Sequence, residues 1–414
     1  MTVIPNPAPE PTSDRISTGR LALLAGLAAL GALATNIMLP AFPDMARDFG
    51  VTPSDLAWSL SGFFIAFALG QLVVGPLTDA VGRSTPVLVG LAVFAIGSLI
   101  CAFAPTLPVL IGGRVVQALG ACATAVLSRA IARDLYTGPA LTRALALVMI
   151  AMAAAPGFSP MLGTVTTLWF GWRATFLIVL IPTVLLAGAY LFGARETLPR
   201  ALRRPLDPGH IGRTYRDLVR DRRFILPALT VSLMIGCLYS FFGAAPAILM
   251  NGMGFDGAGL SLFFAATVFV VFGSGLAGPR LAKRWGVARV GMAGLIVALT
   301  GGLGMLLNIG AASPVAFMAA VTVFLLGMGT INPIGTGITL EPFGTHAGMA
   351  SALLGFLQMA CAAIGTALIG ALPFDPLVSC SFVIAGGCLI ATLIFTPVMM
   401  STYGKQGGRA RDAV

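Results

Sequence analysis

Long apolar stretches alternate with short polar stretches along almost the whole chain. Each apolar stretch comes close to twenty residues or exceeds it, and about twenty residues of α-helix cross the hydrocarbon layer of a bilayer. The pattern therefore predicts about twelve membrane-spanning helices. We place them at residues 21–41, 56–76, 86–104, 109–131, 144–165, 173–193, 224–249, 259–279, 290–309, 315–338, 347–371 and 377–398.

One polar stretch is much longer than the others and divides the chain. It covers residues 194–223 and reads ARETLPRALRRPLDPGHIGRTYRDLVRDRR. We predict a six-helix bundle on each side of it, at 21–193 and 224–398, with short tails at 1–20 and 399–414. We interpret the stretch as a solvated linker, although its second half has helical spacing and would also suit a basic helix on the membrane surface.

A short repeat relates the two halves. GPLTDAVGR begins at Gly75, after the second predicted helix, and GPRLAKRWGVAR begins at Gly278, after the eighth. Matched motifs at matched positions indicate parallel structural repeats, which occur in one large class of transporters. The predicted fold class is therefore an all-α polytopic membrane protein made of two pseudo-symmetric six-helix bundles.

Composition agrees with a lipid environment. Hydrophobic residues make up 57% of the 414 residues and charged residues only 10%, whereas a soluble protein carries about 25% charged residues. The net charge of +10 does not indicate a nucleic-acid partner, because 22 of the 25 Lys and Arg residues fall on one side of the predicted helices. Cytoplasmic loops carry such an excess, so we place both termini in the cytoplasm.

An alternative interpretation concerns the first apolar stretch. Residues 21–34 follow Arg20 and end in Ala-Leu-Ala, which resembles a cleavable signal peptide. The apolar stretch continues through Leu39, however, and cleavage would leave an odd number of helices. We therefore keep this stretch as the first membrane span.

The sequence contains no pattern typical of an enzyme or of a metal site. The six cysteines lie within predicted helices without metal-ligand spacing, and the only two histidines are His210 and His346. No nucleotide-binding loop or hydrolase motif occurs. We expect no enzyme activity, no metal and no organic cofactor, so that uphill transport would require an ion gradient.

The polar turn between the second and third predicted helices contains a group of candidate functional residues. Gly75 would allow close helix packing, and Gly82 would allow a tight turn. Asp79 lies where an unpaired carboxylate is costly, so we expect partners for it. Arg83 is one candidate, and the positive amino terminus of the eleventh helix, near Ala347, is the other. The second contact would join the two halves on the cytoplasmic side and act as a gate.

Several motifs resemble those of the major facilitator superfamily, and together they cover most of the chain. GPLTDAVGR resembles its GxLaDrxGrr loop, and LIGGRVVQALGA resembles its helix-4 motif, with Arg114, Gln117 and Gly120 at the matching positions. APGFSPMLG resembles the helix-5 motif of its drug:proton antiporters and contains Pro156, Gly157, Pro160 and Gly163. MLPAFPDMARDFG, RAIARDLY and LEPFGTHAGMASALLGFLQMA resemble its bicyclomycin/chloramphenicol resistance (Bcr/CflA) branch.

The resemblance implies a two-bundle transporter with a central cavity. It would export small amphipathic drug-like molecules from a bacterium, across the inner membrane, in exchange for protons and by alternating access. We expect a monomer whose partners are the small-molecule substrate, protons and the lipid bilayer. An uptake symporter or facilitator for a small organic solute is an alternative, and a membrane-embedded enzyme or sensor is an alternative of another class.

One departure from the branch concerns proton coupling. Its first helix commonly carries T-D-x-Y-L-P, whereas this chain reads TNIMLP, with Asn36 in place of the acid. Arg114 is a functional candidate because charges inside the membrane are costly, although its side chain could instead extend to the outer interface. We hypothesise that Asp44 forms a proton-sensitive pair with Arg114; the alternative for Asp44 is an exposed loop carboxylate.

The remaining candidates are polar or aromatic residues inside predicted helices or at their ends. Four uncharged amides could line a cavity or bond between helices: Asn36, Gln71, Asn332 and Gln358. Tyr239, Phe241 and Phe242 could form an apolar substrate wall or face lipid. Asp134 and Glu341, at predicted cytoplasmic helix ends, could belong to a gate or be solvated. The Pro and Gly residues of the fifth helix are expected to break and thin it, which would permit bending.

Overall fold

The computed structural model describes the backbone of residues 17–52, 54–203, 205–309 and 313–411. Side chains are described for these residues except 139, 142, 202, 344–347 and 401–411. Residues 1–16 and 412–414 of the two predicted tails, 1–20 and 399–414, therefore lie outside the described residues, whereas the backbone of 399–411 is helical.

Twelve helices in the described ranges are long and apolar enough to cross a membrane, as the hydrophobic pattern predicts. We number them as spans 1 to 12 in chain order. Spans 1 to 6 are Thr18–Asn36, Ala57–Val81, Ser84–Ala102, Leu107–Leu135, Gly138–Phe170 and Arg173–Gly193, the last made of Arg173–Ile178 and Leu180–Gly193. Spans 7 to 12 are Arg222–Ala245, Gly257–Trp285, Val287–Leu307, Pro314–Leu340, Ala347–Ala371 and Pro376–Arg411.

The two faces of the helix bundle differ in charge. The odd-numbered spans begin on the face that carries the linker and most of the Lys and Arg residues, which we call the basic face. The other side, the opposite face, carries a turn at Leu39–Ala41, a short helix at Phe42–Phe49 and a π-helical turn at Pro246–Gly252. The short helix and the last residues of the π-helical turn extend spans 1 and 7 beyond the predicted stretches 21–41 and 224–249.

Helix packing repeats between the halves. In the first half span 4 packs on spans 1, 2 and 3, and span 1 packs on span 5; in the second half span 10 packs on spans 7, 8 and 9, and span 7 packs on span 11. Across the halves, span 2 packs on span 11 and span 5 packs on span 8, which is the symmetric counterpart. The described helices therefore form two six-helix bundles related by pseudo-symmetry, as predicted.

Glycines give the closest approach between helices in both halves. A Cβ at Gly120 of span 4 would overlap the backbone of span 3 at Phe94. In the second half, a Cβ at Gly327 of span 10 would overlap the backbone of span 9 at Ala298. Lipid provides no hydrophobic drive for helix association, so small residues that let backbones meet supply the packing energy.

Most described residues of the linker are exposed, and its second half is helical, as its spacing suggested. It forms a helix at Pro208–Arg220, where the Asp207 carboxylate accepts a hydrogen bond of 3.0 Å from the backbone N–H of His210. Leu218 is buried against residues of the second half. Tyr215 donates from its hydroxyl to the carbonyl of Leu72 in span 2 at 3.1 Å, and burial raises the pKa of this phenol to about 12. The helix therefore contacts both halves.

We predict that Gly120→Ala lowers the thermal unfolding midpoint of the detergent-purified protein, because the added methyl group meets the span 3 backbone. Overpacking of this kind costs about 1–3 kcal/mol. Gly112→Ala is the matched control, since a Cβ there, on the same helix, would have no neighbour within 4 Å. Equal midpoints for the two variants would contradict the packing described here.

Candidate functional site

A cavity of about 420 Å³ lies between the two halves. This volume is within the usual range of small-molecule sites, about 300–1,000 Å³. Its lining comes from spans 1, 2, 4 and 5 of the first half and spans 7, 8, 10 and 11 of the second. Because both bundles contribute, a movement of one against the other would change its shape and access.

Aromatic side chains from both halves form the apolar walls of this cavity. Phe63, Phe64 and Phe67 of span 2 line it, and so do Tyr239 and Phe242 of span 7. The ring centroids of Phe64 and Tyr239 are 5.0 Å apart, a distance typical of a favourable aromatic pair. The walls therefore suit a planar or apolar molecule.

Two of the predicted cavity residues do not line the cavity. Phe241 is fully buried, and its ring contacts Phe263 and Phe317 in the core of the second half. Asn36 is only 2% exposed. Its amide donates to the carbonyl of Ala32 at 2.8 Å and to the Thr35 hydroxyl at 3.1 Å. Helix packing, rather than substrate contact, accounts for both residues.

Three of the predicted amides do line the cavity. Gln71 lies in span 2, Asn332 in span 10 and Gln358 in span 11. The charged residues of the described lining are Arg129 and Arg133 of span 4, and the described lining contains no carboxylate. The cavity is therefore apolar and amide-lined, with a positive charge at one end.

A second cavity of about 350 Å³ continues from the first toward the basic face. The two share Gln71, Arg129, Arg133 and Ser351, which we call the junction. Beyond the junction this vestibule passes between spans 2 and 11 and reaches the linker. Asp79, Leu206 and His210 on its lining are exposed, so the pathway is open on the basic side.

The opposite face is closed by contacts between the halves. The Thr164 hydroxyl of span 5 donates to the carbonyl of Gly257 at 3.0 Å and lies 2.9 Å from the Ser261 hydroxyl, both in span 8. A Cβ at Gly257 of span 8 would lie 3.0 Å from a methyl group of Thr164 in span 5, so the two halves meet closely there. The structure is thus closed on one side and open on the other.

Span 5 is not broken by its prolines. Its helix is continuous from Gly138 to Phe170 with Pro156 and Pro160 inside it, so the predicted break is wrong. The glycines do reduce the width of the helix, as expected: a Cβ at Gly157 would lie only 2.8 Å from a methyl group of Val268 in span 8, so span 8 packs against a surface without a side chain. Span 5 therefore contributes close packing across the halves.

The turn between spans 2 and 3 holds a group of ionic contacts centred on Arg83. This side chain donates to Asp79 at 2.7 Å and to Asp134 at 2.9 Å. Gly82 has a φ of +110°, which favours glycine. Gly75, by contrast, has no neighbour within 4 Å of a built Cβ, so the predicted close packing there is wrong.

The predicted contact of Asp79 with the amino terminus of span 11 is not made by the described residues. The Asp79 side chain is 52% exposed and pairs with Arg83. It lines the vestibule across from Gly348, near the start of span 11. Glu341 is exposed and has no hydrogen bond or ion pair with a described side chain, and the side chain of His346 lies outside the described residues.

Glu196, at the start of the linker, was missed by the sequence analysis. Its carboxylate accepts from the backbone N–H of Arg83 at 2.8 Å and of Ser84 at 3.1 Å, and it pairs with Arg203 at 3.6 Å. Partial burial alone would raise the pKa of Glu196. The backbone N–H donors, which include Leu198, and the charge of Arg203 have a larger opposite effect, so the pKa lies below its usual value. The carboxylate caps span 3 from a distant part of the chain.

Arg114 is fully buried, so the alternative of extension to the outer interface is wrong. It donates to the carbonyl of Ala34 at 3.1 Å and to the side-chain oxygen of Gln117. Its guanidinium carbon lies 4.3 Å from the centre of the Phe63 ring. The Gln117 amide donates on to Ser98 at 2.8 Å. No carboxylate among the described residues takes part in this network.

The hypothesised pair of Asp44 and Arg114 is not formed. Asp44 lies in the short helix at the opposite face and pairs with Arg47, three residues later. Two nitrogens of Arg114, Nε and Nη2, have no hydrogen-bond partner among the described residues. Asp44 is therefore the exposed carboxylate of the alternative interpretation, and Arg114 is a buried charge balanced only by dipoles and a ring face.

Comparison with known proteins gives consistent results. The family model of the Major Facilitator Superfamily matches residues 24–366. An uncharacterized MFS-type transporter, YdgK, of Bacillus subtilis (strain 168) is 31% identical over 84% of this chain and 87% of its own. The chloramphenicol resistance protein of Pseudomonas aeruginosa is 29% identical over 85% of this chain and 84% of its own.

A solved structure shows the same fold. The human organic anion transporter MFSD10 (TETRAN) superposes with a TM-score of 0.63 and 16% sequence identity. The superposition covers 92% of this chain and 100% of the MFSD10 chain. At this identity the likeness concerns the fold alone.

We predict that Glu196→Gln lowers the thermal midpoint at pH 7, by an amount typical of a lost helix cap, about 0.5–2 kcal/mol. Because the folded-state pKa of Glu196 is lowered, its stabilisation is present above the unfolded pKa of about 4.3 and is lost as the pH falls through the folded value. The difference from the unmodified protein should therefore shrink below about pH 4. Glu341→Gln, at an exposed position, is the control; a difference constant with pH would contradict the prediction.

We predict that Arg114→Met reduces transport at least about tenfold without lowering the thermal midpoint, since removing an incompletely paired buried charge need not destabilise a fold.

Asp44→Asn should leave transport and its pH dependence unchanged, because Asp44 pairs with Arg47 at the surface. Transport in proteoliposomes and thermal unfolding of the same preparations check both. Loss of pH dependence in Asp44→Asn would restore the discarded pair.

Proposed function

Because this chain belongs to the Major Facilitator Superfamily, as its motifs indicate, we propose that it exports small amphipathic drug-like molecules by alternating access. The observation that carries the proposal is the central cavity between two pseudo-symmetric bundles, open at one face and closed at the other. This is the geometry of one end state of a transport cycle, in which the bundles rock around a fixed site. The drug-resistance relative supports a drug-like substrate.

The distribution of charged residues supports export, rather than uptake, as the direction of transport. Cytoplasmic loops of membrane proteins carry the excess of Lys and Arg, so we take the basic face, with both termini, as cytoplasmic. The cavity would then be open to the cytoplasm, where an exporter loads its substrate. Bacterial relatives support a place in the bacterial inner membrane.

Energy for uphill export would come from an ion gradient across the membrane. The resemblance to the bicyclomycin/chloramphenicol resistance branch favours exchange of the substrate for protons. Asp79 and Asp134 are candidate proton carriers, because they are carboxylates on the described lining of the vestibule. A facilitator is a second candidate, favoured by the absence of a carboxylate from the described lining of the central cavity and by Asn36. Solute counterflow without any gradient, in proteoliposomes, would identify a facilitator.

Expression in a bacterium that lacks its own efflux pumps tests the proposal. We predict that the protein raises the inhibitory concentration of chloramphenicol or another amphipathic antibiotic at least about fourfold, and that a protonophore abolishes dye efflux. Gly257→Leu should abolish this resistance, because a side chain against Thr164 of the other half prevents closure of the opposite face.

Gly188→Leu is the matched control, since Gly188 has open space around it, and it should keep full resistance. Both variants are compared at equal membrane abundance, measured by immunoblot. No resistance to any class of antibiotic with well-expressed protein, or full activity in Gly257→Leu, would contradict the proposal.

A further inference from the structure

The junction between the cavities holds two arginines without a counter-ion. Arg129 and Arg133 lie four residues apart and therefore on one face of span 4, and both line the two cavities. Neither forms an ion pair or hydrogen bond with a described residue. Arg129 is half-buried, about 9 Å inside the basic-face end of span 4 at 1.5 Å per residue. A charge at such depth is costly and marks a functional site by default.

The carboxylates nearest in the fold are already engaged. Asp134, next to Arg133 in sequence, accepts from Arg83 at 2.9 Å and from the Thr197 hydroxyl at 3.0 Å. Asp79 pairs with the same Arg83. The third acid on the described vestibule lining, Asp207, accepts from the backbone N–H of His210 in the linker helix. The acids that pair with arginine on this lining therefore compensate Arg83, and the positive charge at the end of the central cavity remains available.

We propose, on the basis of the export function above, that the substrates are amphipathic organic anions. A carboxylate, sulfonate or phosphate group would bind Arg129 and Arg133, because a guanidinium presents a planar pair of N–H donors that matches such groups. Gln71 and Ser351, at the same junction, offer further donors. The apolar body would lie between the span 2 and span 7 aromatics, represented by Phe67 and Tyr239.

An anionic substrate also changes the energetics. A membrane potential that is negative inside favours a monoanion leaving the cell, by a concentration ratio of about 50 at a typical potential. Export of an anion is thus driven without a coupled proton. A cavity without a carboxylate and an amide at position 36 are consistent with that mode.

The test uses two probes with the same body and different charge, neutral chloramphenicol and its anionic hemisuccinate ester. Binding of each to the purified full-length protein is measured by equilibrium dialysis at pH 7.5. We expect the ester to bind at least about tenfold more tightly than the neutral compound, since each tenfold step is about 1.4 kcal/mol, within the range of a charge-assisted hydrogen bond. The preference should fall with added salt.

Variants assign the preference to the junction. Arg129→Gln should reduce the tenfold ratio to near one, while Arg129→Lys keeps part of it because the charge remains. Gln71→Glu, which places a carboxylate at the same junction, should also remove the preference without deleting an arginine. Arg143→Gln is the control, because Arg143 is exposed on span 5 and outside both described linings. Each variant is first checked for a monodisperse elution profile.

The outcomes separate this inference from the export function. Equal binding of the two probes, or a ratio that stays near ten in both Arg129→Gln and Gln71→Glu, overturns the anion proposal. If the protein still confers resistance to neutral chloramphenicol in that case, export stands and only the substrate class is wrong. If neither probe binds and no resistance is conferred, both proposals fail. A tenfold preference lost in both junction variants supports the anion site.

Discussion

A charge inside a low-dielectric helix bundle must be compensated by the protein or by what it binds, and three sets of arginines meet this constraint differently. Arg83, at the basic face, is held by two carboxylates. Arg114 is buried and compensated by a carbonyl, an amide oxygen and the face of an aromatic ring. Arg129 and Arg133 line the two cavities and have no ion pair with a described residue. The compensation of the first two sets builds the fold, and its absence in the third creates a binding surface.

The same constraint shapes the two faces of the pathway. The opposite face closes through a glycine and short hydroxyl side chains, because Thr164, Gly257 and Ser261 let spans of the two halves meet closely. Such contacts contain few strong bonds, so they can separate at small cost. The basic face is organised instead by longer ionic side chains and by the linker helix, whose Tyr215 reaches span 2 while Leu218 packs on the second half. The linker therefore couples the halves on the side where the pathway is open.

Several site expectations failed for reasons that lie in geometry. Asp44 and Arg114 have opposite charges and sit toward the same face, but Asp44 has a nearer partner one helical turn away in Arg47. Asn36 and Phe241 occupy the right helices but the wrong sides of them, since a rotation of one residue, about 100°, turns a side chain from cavity to core. Glu196 could not be anticipated, because its partners Arg83 and Ser84 lie more than a hundred residues earlier in the chain.

The sequence by itself determined the lipid environment, the twelve spans and the two related halves, because the free energy of burying twenty apolar residues in a bilayer depends on composition and length alone. It also identified the motif residues, through their resemblance to a superfamily. Only the tertiary structure decided which polar side chains share the cavity, which face is closed and which charges are already paired. Those properties depend on helix rotation and on contacts between distant segments, and hydrophobic periodicity carries little information about either.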